Sequence, residues 1–66
     1  MTYNQLVSAL SNAGFRRGAS VQRVMFTEAN GLSLQYLGDG AWSLLFEGRL
    51  LNQFFSHQRV ARWLAA

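Results

Sequence analysis

Apolar residues near the start of the chain recur at helical spacing. Tyr3, Leu6, Val7 and Leu10 fall three or four apart, and Ala13 extends the stripe, while Asn4, Gln5, Ser8, Ser11 and Asn12 fill the opposite face. Thr2 and Gln5 have the spacing of a capping box, in which the Thr2 hydroxyl accepts from the Gln5 amide and the Gln5 side chain reaches back. Gly14 supplies a left-handed stop that lets Phe15 fold onto the last turn. The spacing predicts a helix from about Tyr3 to Ala13.

After a polar connector holding Arg16, Arg17, Gly18 and Ser20, the pattern changes to branched and aromatic residues in short runs. Val21–Glu28, Leu32–Leu37 and Ala41–Phe46 read as three strands, separated by the hairpin signals Asn30-Gly31 and Asp39-Gly40. Register follows from the face each residue must occupy, because a one-residue slip moves the whole apolar set to the other side. A two-residue Asn30-Gly31 turn pairs Phe26 with Gln35. A three-residue loop of Ala29, Asn30 and Gly31, with Gly31 left-handed in a bulge, pairs Phe26 with Leu34 and Val24 with Tyr36 instead. The same logic across Gly38, Asp39 and Gly40 pairs Tyr36 with Trp42, Leu34 with Leu44 and Leu32 with Phe46. One apolar face then holds Val24, Phe26, Leu32, Leu34, Tyr36, Trp42, Leu44 and Phe46. The other face shows Arg23, Met25, Thr27, Ser33, Gln35, Leu37, Ser43, Leu45 and Glu47, a mixed surface open to water or a partner.

Glu47-Gly48 turns the chain, and Arg49–Leu51 reads as a short extension. A second helix follows, capped by Asn52 or by Ser56. With Asn52 as the cap, Phe54, His57, Val60, Ala61 and Leu64 share a stripe; with Ser56, the helix is shorter and Phe54 and Phe55 become loop anchors. Arg59 and Arg62 lie on the more solvated side in both cases, and Trp63 lies away from the apolar stripe. The expected fold is α+β, a two-layer αβββα arrangement with a three-stranded antiparallel sheet and both helices on one face. Without repeats or linker-like tracts, residues 1–66 form a single small domain.

Composition narrows the chemistry. Half of the 66 residues are apolar and 14% are charged, too apolar for a disordered tail, while the length leaves no room for large cofactor-dependent enzyme machinery. There is no cysteine and only one histidine, so neither a disulfide scaffold nor a metal site is expected, and no cofactor. No basic leader or membrane-length apolar run is present, which makes the cytoplasm the expected location and leaves a membrane out of the expected partners.

All six basic residues are arginine, and the net charge is +3. Arginine's planar fork suits phosphate, carboxylate and protein interfaces. Arg16 and Arg17, with Arg59 and Arg62, are the residues that would serve a nucleic-acid backbone. His57 is the one side chain suited to proton transfer near neutrality, but neighbouring Ser56 would not face it on a helix. Glu28, Asp39 and Glu47 sit at strand ends or in a turn and suggest no carboxylate dyad. Gly38 and Gly40 precede no helix and so read as turn glycines rather than a phosphate cradle.

The helix–strand–strand–strand–helix order resembles double-stranded RNA-binding domains and the small HicA-type toxins, and Gly14-Phe15-Arg16-Arg17 with Gly18 resembles the start of the latter over about the first third of the chain. Those toxins carry a histidine just after the glycine, where this chain has Ala19, Ser20 and Val21, and the lysine-rich second helix start of the RNA binders is missing. Membership of neither family follows.

The expected function is therefore a small non-enzymatic interaction module, an inhibitor, adaptor or regulator of the size common on phages and other mobile elements. Its expected partner is another protein, met through Arg23, Met25, Gln35, Leu45, Arg59, Arg62 and Trp63, with a homodimer through the open sheet face as a variant of this expectation. The alternative is a nucleic-acid-binding module built on Arg16, Arg17, Arg59 and Arg62. A small His57-dependent nuclease or toxin comes third; no catalytic residue is assigned.

Overall fold

The computed structural model describes residues 1–18 and 23–66. Helix α1 spans Tyr3–Asn12, one residue shorter than expected, with Ala13 as its C-cap. The capping box forms: Thr2 Oγ1 accepts from the Gln5 amide at 3.1 Å, and Gln5 Oε1 accepts from the Thr2 amide at 2.9 Å. At the other end Gly14 adopts φ +95°, its amide donates to the Ser11 carbonyl, and the Phe15 amide reaches back to the Leu10 carbonyl at 2.9 Å. Both bonds of a Schellman closure are present, and they bring Phe15 into the core.

The sheet is antiparallel, with five strands in chain order: β1 (Arg16–Arg17), β2 (Met25–Thr27), β3 (Leu32–Gly38), β4 (Ala41–Phe46) and β5 (Arg49–Phe54). The expected registers hold in its centre, where Phe26 pairs with Leu34, Leu34 with Leu44, Tyr36 with Trp42 and Leu32 with Phe46. Val24 lies just outside β2, yet its carbonyl accepts from the Tyr36 amide at 2.9 Å, as the expected pairing requires. Ala19, Ser20 and the expected strand start at Val21 lie outside the described residues.

The expected three-strand count is corrected to five. β1 is only two residues long and both are arginines, so it carries neither periodicity nor β-propensity. β5 escapes for a different reason. Its register shifts between Leu44 and Leu45, where Leu51 is the extra residue between the Leu45–Leu50 and Leu44–Asn52 pairs, and such a bulge breaks the alternation that marks a strand. The expected short extension at Arg49–Leu51 is thus the first half of a six-residue strand. Its hairpin closes on Glu47 (φ +49°) and Gly48 (φ +83°), both left-handed, as a two-residue type I′ turn requires. Asp39 (φ +52°) and Gly40 (φ +83°) do the same between β3 and β4, with Leu37 as the extra residue, so the expected three-residue loop becomes a two-residue turn beside a bulge.

Helix α2 spans His57–Ala65, and Ser56 is its N-cap, accepting from the Arg59 amide at 3.1 Å. That settles the choice between Asn52 and Ser56, because Asn52 is committed to β5. Leu6 and Leu10 from α1 and Val60 from α2 join Phe26, Leu34, Trp42, Leu44 and Phe54 in one buried cluster, so both helices contribute to the core on one face of the sheet. Phe54 is a core residue of β5, whereas Phe55, expected as an anchor under the Ser56 cap, is 73% exposed.

Candidate functional site

Trp42 is wholly buried on β4, and its indole Nε1–H donates to His57 Nδ1 at 3.0 Å. This bond assigns the lone pair to Nδ1 and the ring proton of neutral His57 to Nε2. Tyr3 and Tyr36 complete an aromatic box, with the Tyr36 and Trp42 ring centres 4.8 Å apart and the Tyr3 and His57 centres 6.0 Å apart. Tyr36 Oη accepts from the Gly40 amide at 3.1 Å, tying the box to the β3–β4 turn. His57 therefore has its Nδ1 lone pair engaged by a buried donor, and neighbouring Ser56 Oγ is engaged in capping α2. A nucleophile–base pair needs these two groups to face each other, and here each faces elsewhere.

One carboxylate is also engaged locally. Glu28 accepts from the Asn30 side chain and from the Leu32 amide, both at 3.2 Å, and so holds the β2–β3 turn. Asp39 occupies a left-handed turn position, and the Glu47 amide donates to the Gly31 carbonyl at 3.0 Å. No cavity and no metal-capable cluster of three side chains occurs among the described residues. No described helix is long and apolar enough to cross a membrane.

The surfaces remain. On the open sheet face Met25 lies opposite Gln35, Thr27 opposite Ser33 with their hydroxyls 3.0 Å apart, and Leu45 opposite Ser33 and Leu50. Met25, Gln35 and Leu45 are each half-buried, and Ser43 in the middle of this face is buried. Arg23 is exposed in a bend ahead of β2 rather than within the strand where it was expected. Trp63 was read as lying away from the apolar stripe; in the structure it is half-buried, its ring 6.0 Å from that of Phe54 and packed against the core.

The four arginines expected to serve a nucleic-acid backbone divide between two regions. Arg16 and Arg17 form β1, which pairs with β2, whereas Arg59 and Arg62 are exposed on α2, which packs on α1, β4 and β5. With strands about 4.8 Å apart, β1 stands some 14 Å from β4 along the sheet. The two arginine pairs belong to elements at different ends of the strand order.

Sequence reasoning missed the most exposed apolar residues. Among the described residues six large apolar side chains are exposed, and four of them belong to the last hairpin or its continuation: Phe46 (39%), Leu50 (59%), Leu51 (58%) and Phe55 (73%). The available signal was the Leu50-Leu51 pair directly after a Glu-Gly turn. Adjacent strand residues ordinarily face opposite sides, and the bulge at Leu51 breaks that alternation where the two leucines are both exposed. Comparison with known proteins gives no match: no family model, no curated protein and no solved structure is similar to this chain.

Proposed function

We propose that the protein is a small non-enzymatic interaction module, of the inhibitor, adaptor or regulator kind, whose working surface is the outer edge of the sheet along β5. The observation that carries this reading is the pair of exposed leucines, Leu50 and Leu51, on a strand with one neighbour only, with exposed Phe55 just past its end. A single exposed leucine is ordinary; three large apolar side chains on and just beyond one edge strand are what a protein contact surface presents. The polar groups that could have suggested catalysis support the reading from the other side, since His57, Ser56 and Glu28 all serve the fold.

The half-buried Leu45 continues the surface from β5 onto the open sheet face, while Arg59 and Arg62 are exposed on α2, which packs on the other face of the sheet. Backbone groups along an edge strand bind an added strand regardless of sequence, and the flanking side chains select which one. The test is affinity capture from host lysate, with and without nuclease, by the wild type and by the Leu50→Lys, Leu51→Lys double variant. A stoichiometric protein retained after nuclease and lost with the double variant is the expected result. Loss of every partner on nuclease treatment, with binding intact in the double variant, overturns it and moves the function to Arg16, Arg17, Arg59 and Arg62.

A further inference from the structure

We propose that the β5 edge takes a second copy of this chain, strand against strand in antiparallel fashion, so that two five-stranded sheets join into one ten-stranded sheet about a two-fold axis. The proposal rests on reading the β5 edge as the contact surface, and it names the occupant. Three features of the chain favour a copy of itself.

The first is charge. Arg49, at the start of β5, is the strand's one charged residue. A parallel pairing sets the two copies of Arg49 side by side, at the strand spacing of about 4.8 Å, in a protein already carrying a net +3. An antiparallel pairing centred between Leu51 and Asn52 puts them at opposite ends of the new ladder, about 16 Å apart at roughly 3.3 Å per residue. That exceeds the screening length of about 8 Å at physiological salt, so the repulsion largely disappears. Leu51 then lies opposite Asn52 of the second copy at the centre of the contact, and Leu50 lies opposite Gln53.

The second is area. From the exposed fractions of Leu50, Leu51 and Phe55, each copy offers on the order of 400 Å² on large apolar residues along and just beyond this strand. Two copies, with the polar flanks Asn52 and Gln53 and the strand backbones added, reach the roughly 1,000 Å² at which specific interfaces begin.

The third is closure. A two-fold pairing of β5 consumes both apolar edges and leaves a β1 edge at each end of the ten-stranded sheet. Each remaining edge is two residues long and carries exposed Arg16 and Arg17. Charged, very short edges resist further strand addition, so assembly stops at two.

Sedimentation equilibrium over about 1 to 500 µM protein tests the proposal, that range spanning the affinities expected of a contact this small. The expected result is a species of twice 7.4 kDa, with dissociation at least about tenfold easier in Leu51→Lys and unaltered in Arg16→Glu. Near-ultraviolet circular dichroism of buried Trp42 confirms that each variant keeps its fold. Because the chain has no cysteine, Leu51→Cys introduces a unique thiol next to the two-fold axis. Air oxidation is expected to give a covalent dimer from Leu51→Cys and none from Arg17→Cys. A wild type that stays monomeric throughout, or a dimer that survives both Leu50→Lys and Leu51→Lys, overturns the proposal. In the monomeric case, a partner protein that is captured by the wild type and lost with the lysine variants leaves the interaction module standing and removes only the second copy.

Discussion

The two edges of this sheet solve the same problem in opposite ways. Every edge strand presents unpaired backbone donors and acceptors that can template another strand. At β1 the exposure is minimal: the strand is two residues long, both side chains are exposed arginines, and Gly18 follows, its amide bound to the Met25 carbonyl at 2.8 Å. At β5 the strand is six residues long, contains neither proline nor lysine, and carries adjacent exposed leucines. Its defences are Arg49 at its start and the bulge at Leu51, which twists the edge beside the two exposed leucines. An edge left long and apolar beside one that is short and charged points to selective use, because the means of guarding an edge are already present in the same chain.

The largest expected effect comes from detaching β5 from the core. Phe54 is buried at the end of the strand and packs near Trp63 of α2, so Phe54→Ala is expected to cost about 3 to 5 kcal/mol. That is most of the stability of a 66-residue domain, for which about 3 to 10 kcal/mol is typical. Urea unfolding followed by tryptophan fluorescence measures it. A loss below about 1 kcal/mol would show that β5 is not held by this anchor. Truncating the other edge by Arg16→Ala is expected to change stability by no more than about 0.5 kcal/mol.

Next in size is the link between β4 and the start of α2. His57→Leu leaves the buried Trp42 indole N–H without an acceptor, an expected cost of about 1 to 3 kcal/mol. His57→Asn supplies an oxygen near the position of Nδ1 and should recover part of that loss. If the two variants are equally stable by urea unfolding, the hydrogen bond contributes nothing and His57 acts by packing alone. Because α2 packs on both β4 and β5, this bond helps to hold the long edge in place.

The contrast between the edges also explains what could be read in advance. The centre of the sheet was legible down to register, because Phe26, Leu34, Tyr36, Trp42 and Leu44 alternate strictly and admit one pairing that places them all on one face. The α1 caps were legible because Thr2, Gln5 and Gly14 act on their own backbone neighbourhood. Both edges were illegible. A two-residue strand exists only because Phe26 and Thr27 lie opposite it, and β5 loses its alternation at the bulge while Asn52 and Gln53 lower its strand propensity. Among candidate site residues, His57 falls on the Phe54, Val60 and Leu64 stripe only under the Asn52 cap, and its bond to Trp42, fifteen positions away, depends on tertiary structure. The exposed edge leucines were passed over because exposure at an edge is set by which strand has no neighbour, a property of the whole sheet.

Two smaller changes sharpen the comparison. Glu47 occupies the first left-handed position of the turn that starts β5, where asparagine or glycine is less strained, so Glu47→Asn is expected to stabilise the protein by about 0.5 to 1 kcal/mol. A raised urea midpoint with an unchanged slope checks this; no gain would mean that contacts of the Glu47 side chain near Gly31 offset the backbone strain.

The smallest effect on stability, within about 0.5 kcal/mol, is expected from Arg16→Thr with Arg17→Val, since both side chains are exposed. Its effect on assembly should be large. The double variant removes the charges that guard β1 and replaces them with residues that favour strands, so both edges of the sheet can then accept a neighbour. Each two-fold pair joined through β5 would present two unguarded ends, and light scattering should show species that grow with concentration beyond the dimer. If the variant instead keeps the wild-type size distribution at every concentration, the shortness of β1 protects that edge without help from the arginines. Arg16 and Arg17 would then be free of any duty in limiting assembly, and their exposure would count in favour of an anionic ligand.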